Sequence, residues 1–95
     1  MTEAQAKATR MLENQRVIAT EWRFAPGDST GFHVHQLDYV VVPLTTGKLR
    51  IVAKDGSASD AELVPGVPYS RNAGVAHDVL NPNSFEVRFI EIELK

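Results

Sequence analysis

Cysteine is absent from this chain. That removes disulfides, thiolate metal sites and thiol catalysis together, and it suits a reducing cytoplasm. Long apolar runs are absent as well: no stretch approaches the roughly 20 apolar residues of a membrane-spanning helix. The first ten residues, MTEAQAKATR, are polar and contain no apolar signal core. Nor is there an excess of positive charge. Lys and Arg number 10 against 12 Asp and Glu, a formal charge of -2, so nothing draws the chain to nucleic acid or an anionic membrane. Helix signals are almost missing after residue 15. The motifs of other chemistries are missing too, with no G-x-S-x-G elbow and no phosphate-binding loop. The expectation is a cytoplasmic protein with neither a nucleic-acid nor a membrane partner.

What is present is a series of short strands between turn signals. At 95 residues the chain fits one compact domain, expected as residues 1–95. Residues 1–15 are polar and Ala-rich, open to reading as a short helix, an arm or an edge strand pairing with a partner. Residues 16–95 form the body. Ile18, Thr20, Trp22 and Phe24 alternate with Ala19, Glu21 and Arg23, the period of a strand. Pro26-Gly27-Asp28 breaks it. Further strands are expected at Phe32 to His35, Asp38 to Leu44, Lys48 to Lys54, Ala61 to Val64, Pro68 to Arg71 and Ala76 to Leu80. Between them stand turns rich in Gly, Pro and Asn, with Asp55-Gly56-Ser57 as a hairpin. The last strand, Phe85 to Leu94, changes phase. Phe85, Val87 and Phe89 are apolar at odd positions, and Ile90, Ile92 and Leu94 at even ones. Either a β-bulge near Phe89-Ile90, or a strand with one face to the core and the other to a dimer partner, accounts for this. Many evenly spaced short strands argue for an all-β sandwich or barrel.

The chain holds three histidines. His33 and His35 are two apart in a predicted strand, so they project to one face, roughly 7 Å apart at ~3.3 Å per residue. From there two imidazoles converge on an ion at about 2.1 Å. His77 on its own says little. Together, however, the segments around these histidines resemble the paired motifs of the cupin superfamily. The first motif, G-x5-H-x-H-x(3,4)-E-x6-G, is met by Gly27, His33, His35 and Gly47; the second, G-x5-P-x-G-x2-H-x3-N, by Gly66, Gly74, His77 and Asn81. The resemblance spans roughly residues 20 to 85 and implies an RmlC-like double-stranded β-helix, or jelly-roll barrel. It also implies one divalent metal ion, Fe, Mn, Ni or Zn, on His33, His35 and His77.

Two motif positions depart. The proline is Asn72, and the fourth-ligand glutamate falls on Val40, or on Tyr39 by the shorter spacing. Asp38 lies two positions short of the Val40 slot, and whether it replaces the glutamate stays open. A bare three-histidine site keeps the full charge of its ion and has open positions, which favours an anionic or chelating small molecule. Cupins with three-histidine iron sites, among them thiol, diketone and gentisate-type dioxygenases, are similar. The run GFHVHQLDYVVVPLTTG also resembles small cupins of β-alanine breakdown. Two function classes follow: a metal-dependent enzyme on a small organic acid, and a non-catalytic small-molecule-binding or sensing barrel.

The remaining candidates carry less. Tyr39 and Tyr69 are the candidate catalytic residues beside the metal. Arg71 reads as solvated, meeting an anionic ligand only if it points inward. Trp22, Phe24 and Phe89 read as core or interface. Gly27, Gly47, Gly66 and Gly74 read as turn glycines of positive φ, and Asn81 as a side chain satisfying turn backbone. Glu86, Arg88, Glu91 and Glu93 read as one solvated face. A homodimer through the N-terminal or another edge strand is expected, because an open edge needs covering.

Overall fold

Alternating apolar positions and well-placed breakers give nine strands and, among the described residues, no helix. The computed structural model describes residues 4–95. In chain order the strands are β1 (Lys7–Glu13), β2 (Val17–Phe24), β3 (His33–Val34), β4 (Asp38–Pro43), β5 (Gly47–Ala53), β6 (Ala58–Leu63), β7 (Tyr69–Arg71), β8 (Ala76–Leu80) and β9 (Val87–Leu94). They form two facing sheets, one ordered β1-β2-β9-β4-β7 and the other β3-β8-β5-β6. This is the expected all-β jelly-roll barrel. No helix of the described residues is long and apolar enough to cross a membrane.

The core lies between the sheets, at one end of the barrel. Phe24, Val41, Leu49, Leu63, Val79, Val87 and Phe89 are buried there in one cluster. Each such side chain contributes roughly 1.5–3 kcal/mol by leaving water. Phe24 and Phe89 stack with ring centroids 5.7 Å apart. The strand register orders the inner face of the five-stranded sheet into rows. Phe24 sits beside Val87, then Trp22 beside Phe89 and Pro43, then Thr20, Glu91, Val41 and Tyr69, then Ile18, Glu93, Tyr39 and Arg71. The wall thus grades from aromatic and aliphatic to polar along the barrel axis, and the polar end holds the site.

Turn chemistry pins this arrangement. Gly47 has φ +133°, and a Cβ there would meet the Val87 side chain at 3.0 Å, so only glycine fits. Asn81 is 1% exposed and ties three segments together. Its amide donates to the Phe24 and Phe85 carbonyls, and its carbonyl oxygen accepts from the Asn83 backbone N–H and side-chain amide. Asn83 in turn donates to the Lys48 carbonyl at 2.7 Å.

Three expectations change. The N-terminal stretch is neither helix nor arm over Lys7–Glu13. It is an edge strand that pairs antiparallel with its own chain's β2, every residue exposed, with an irregularity between Arg10 and Leu12. The part of the expected segment at residues 1–3 lies outside the described residues. The phase change in the last strand is not a bulge: β9 pairs without interruption with both β2 and β4. Its odd residues face the barrel interior throughout. Its even residues Ile90, Ile92 and Leu94 lie on the outer face, beside Ala19, Val17, Val40 and Val42 of the neighbouring strands. The charges of β9 are therefore not one solvated face, because Glu91 and Glu93 point inward with Val87 and Phe89.

Candidate metal centre

The site begins with backbone pairing. β3 is only two residues long and pairs with β8, placing His33 directly opposite His77. His35 lies just past the end of β3 but stays extended. Its N–H donates to the Val75 carbonyl and its carbonyl accepts from the Gly74 N–H, both at 2.8 Å. Gly74 reaches that position at φ +94°. Val34, between the two histidines, is 49% exposed and points out. His33 and His35 hence face inward together, as the period of two requires.

The three Nε2 atoms converge. His33 and His35 Nε2 are 3.0 Å apart, and His35 and His77 Nε2 are 3.1 Å apart. Two ligands held at 90° about an ion 2.1 Å away are separated by about 3.0 Å, so the spacing is that of adjacent ligands on one ion. The tautomer of His33 agrees. Its Nδ1 lies 2.9 Å from the Gly31 carbonyl, which can only accept, so the proton sits on Nδ1 and the Nε2 lone pair faces the cluster. Thr30 supports this loop, its hydroxyl donating to the same carbonyl and accepting from the Val79 N–H.

With lone pairs on all three Nε2 atoms, the arrangement that binds a metal, this distance is repulsive unless a cation lies between them. A proton is a poor candidate. Burial, and then the neighbouring imidazoles of His33 and His77, push His35 down to about 4. Burial, then His33 and the Arg71 guanidinium, push His77 to about 4. The donor set, imidazole nitrogen throughout, suits a divalent first-row metal. All three histidines offer ligand atoms within 4.8 Å of one another, and this is the group among the described residues with metal-binding spacing.

Tyr39 occupies the place left by the missing glutamate. It is buried, and its ring stacks on His35 with centroids 4.0 Å apart and planes 19° apart. Burial, then Glu91 and Tyr69, push its phenol up to about 12, against the pull of Arg71. Burial also raises Tyr69, over the opposing pull of Arg71. Both tyrosines therefore stay protonated at neutral pH and serve as hydrogen-bond donors rather than bases. Asp38 does not replace the glutamate. It alternates with Tyr39 on the outer face, and its carboxylate accepts from the Ala73 N–H at 2.7 Å. Val40 also faces outward.

The histidines, Tyr39, Tyr69, Arg71 and Glu91 share an inner cavity of about 60 Å³ with Val41, Leu49, Ile51, Val79 and Phe89. A wider outer recess of about 310 Å³ joins it past Thr30, His33, His35 and Glu91, with Trp22, Gln36 and Glu93 at its rim. Arg71 does line the cavity, although exposed, with its guanidinium 4.6 Å over the Tyr69 ring. Glu91 is the residue that charge alternation had hidden. Burial, and then Glu93 beside it, push its carboxyl up to about 7, while the Trp22 indole N–H pulls the other way. That pull is weak, since the buried Trp22 Nε1 makes no hydrogen bond of ordinary geometry.

Comparisons with known proteins agree with the fold. No family model matches the chain. The β-alanine degradation protein BauB of Pseudomonas aeruginosa is 52% identical over 91 residues, spanning 96% of this chain and 95% of that protein. The crystal structure of a cupin domain from Bordetella pertussis superposes with a TM-score of 0.93 at 47% identity, covering 100% of this chain and 98% of that one. The chain is a cupin. An RmlC-like cupin with a double-stranded β-helix from Methanocaldococcus jannaschii shares the fold alone, with a TM-score of 0.78 at 12% identity over 95% of this chain and 80% of that one.

The depressed histidines set a pH dependence in this cupin. From 6.5 down to about 4 the unfolded chain binds protons that His35 and His77 refuse when folded, so metal-free stability falls as pH falls through that window. Glu91 works in the opposite sense between 4.5 and about 7, one group against two, and the net slope keeps its sign. Chemical denaturation of metal-free protein at pH 7 and pH 5 is expected to show lower stability at pH 5, with a smaller difference in His77→Ala. A flat or reversed dependence contradicts the neutral-histidine assignment.

Proposed function

We propose that this cupin is a metal-dependent enzyme acting on a small organic acid, with His33, His35 and His77 holding one Fe, Mn, Ni or Zn ion. The observation that carries the reading is the convergence of three Nε2 atoms, with His33–His35 at 3.0 Å and His35–His77 at 3.1 Å, at the wall of a cavity that opens to an outer recess. An ion held by three neutral ligands supplies undiminished Lewis acidity and open positions, and a redox-active one supports oxygen chemistry. The chain's own residues do the rest. Tyr39 and Tyr69, held as neutral phenols, donate hydrogen bonds to an anionic ligand. Val41, Leu49, Ile51 and Phe89 keep the inner end of the cavity dry and limit the ligand to a few heavy atoms. The relative named for β-alanine degradation points to β-alanine and three-carbon acids as the first substrates to try.

Oxygenation is the reaction class we favour for the redox-active ions. With the Fe(II)-loaded protein, oxygen uptake is expected in the presence of such an acid. His77→Ala is expected to reduce it about 100-fold or more, since a bare two-histidine pair holds iron poorly. An oxygen electrode with product analysis reads this. The second reading is a binding or sensing barrel, favoured by the raised phenol of Tyr39, which leaves no tyrosine base in the cavity at neutral pH. Saturable ligand binding without turnover by any of the four metals selects that reading and rejects the enzyme.

We also propose that the protein is a homodimer. Its surface is better placed on the outer face of β2, β4 and β9 than on the edge strand first expected. Val17, Val40, Val42, Ile90 and Ile92, each part-exposed, lie side by side there, and an apolar surface of this kind on a small protein favours association with a second copy. Sedimentation is expected to show a dimer for the wild type and a folded monomer for Ile92→Lys; a wild-type monomer at micromolar concentration contradicts it.

A further inference from the structure

The cavity holds an acidic and a basic side chain that do not pair with each other. Glu91 points inward from β9 in the row with Thr20, Val41 and Tyr69, facing the sheet that carries His33 and His77. Arg71 points inward from β7, one row further along beside Tyr39. Both line the same cavity. Among the described residues Glu91 takes part in none of the eight ion pairs, and neither does Arg71. Arg71 donates only to the Ser70 carbonyl and lies over the Tyr69 ring. Their strands are separated by β4, which sets their backbones about 10 Å apart across the sheet.

Glu91 is half-buried, and a carboxyl held there without an ion-pair partner loses hydration that a cationic group in the cavity would offset. Among the other described glutamates, Glu13, Glu21 and Glu86 find Lys or Arg, while exposed Glu62, and Glu93 beside the cavity, take part in no ion pair. The indole N–H of Trp22 points toward the same wall without a hydrogen bond of ordinary geometry, so it does not neutralise Glu91.

We propose that Glu91 and Arg71 are the two poles of a ligand site for a short zwitterion, an ω-amino carboxylate, with the ammonium group at Glu91 and the carboxylate at the Arg71 and histidine end. This rests on the small-acid reading above and assigns the other end of the molecule. A dianion would leave Glu91 facing like charge, and a plain monocarboxylate would leave it facing a methyl group. A zwitterion satisfies both poles. The cavity, at about 60 Å³, holds only a handful of heavy atoms, given that one water takes roughly 10–15 Å³ by the same measure.

β-Alanine and butyrate have the same number of heavy atoms and differ in one group, ammonium against methyl. Calorimetric titration of the Zn(II)-loaded protein with each is the test. Wild type is expected to bind β-alanine about tenfold or more tightly than butyrate, a charge-assisted hydrogen bond's worth of discrimination. Glu91→Gln is expected to bring the two within about twofold by weakening β-alanine alone, and Arg71→Gln, at an exposed position, to weaken both by similar factors. Equal binding or binding of neither in the wild type, a preference that survives Glu91→Gln, or an Arg71→Gln variant unchanged for both ligands overturns the proposal. Metal content measured on the same samples reports separately on the histidine site. A metal-free protein that still prefers β-alanine would overturn the metal reading and support this one.

Discussion

Three imidazole Nε2 atoms drawn together, with successive pairs 3.0 and 3.1 Å apart, are the constraint around which the rest of this structure is arranged. That contact is unfavourable by itself, and the fold enforces it from three directions. Antiparallel register sets His33 opposite His77. A pair of backbone hydrogen bonds clamps His35 to Gly74 and Val75. The Gly31 carbonyl takes the Nδ1 proton of His33 and turns its free nitrogen inward. Burial then keeps His35 and His77 from relieving the repulsion by protonation. A divalent cation between them satisfies all three at once, and the three ligand atoms have the spacing to hold one.

The opposite wall depends on that arrangement and gives it a chemical setting. The inner face of the five-stranded sheet runs from Phe24 and Val87 at the dry end to Tyr39, Arg71, Glu91 and Glu93 at the histidine end. The dry end is where the core resides, and the polar end is the part of the interior that a ligand can reach. Strand β9 spans both. Its inward residues change from Val87 and Phe89 to Glu91 and Glu93 as it passes from core to cavity, while its outward residues change from Arg88 to Ile90 and Ile92. The strand does not slip; its two surroundings exchange character along its length.

This explains what was legible in the sequence and what was not. The histidines were readable because strand geometry ties the spacing of His33 and His35 to a shared face, and because His77 falls at a recognisable distance from Gly66 and Gly74. Turn glycines were readable because positive φ selects glycine locally, as at Gly47. Most strands were readable from alternation alone, although the Phe32 to His35 segment shortened to two paired residues. β1 carries no such pattern because an exposed edge strand buries neither face, so nothing in its residues separates it from an arm. Glu91 was missed for a different reason. A charge in an alternating strand looks solvated until the neighbouring strands are known, and here its inward direction is set across the sheet, by Val41, Tyr69 and Trp22. Asp38 shows the converse, since nearness in sequence to a missing ligand says nothing about the face on which it lands.

The central claim, that these three histidines form one metal centre, is tested most directly by elemental analysis of tag-free protein purified without chelators, alongside His77→Ala. About one divalent ion per chain in the wild type, retained on gel filtration and lost from the folded variant, is the predicted result. Absence of metal from the wild type, even after incubation with excess Fe(II), Mn(II), Ni(II) and Zn(II), would contradict it and leave a barrel whose buried histidines serve some other purpose.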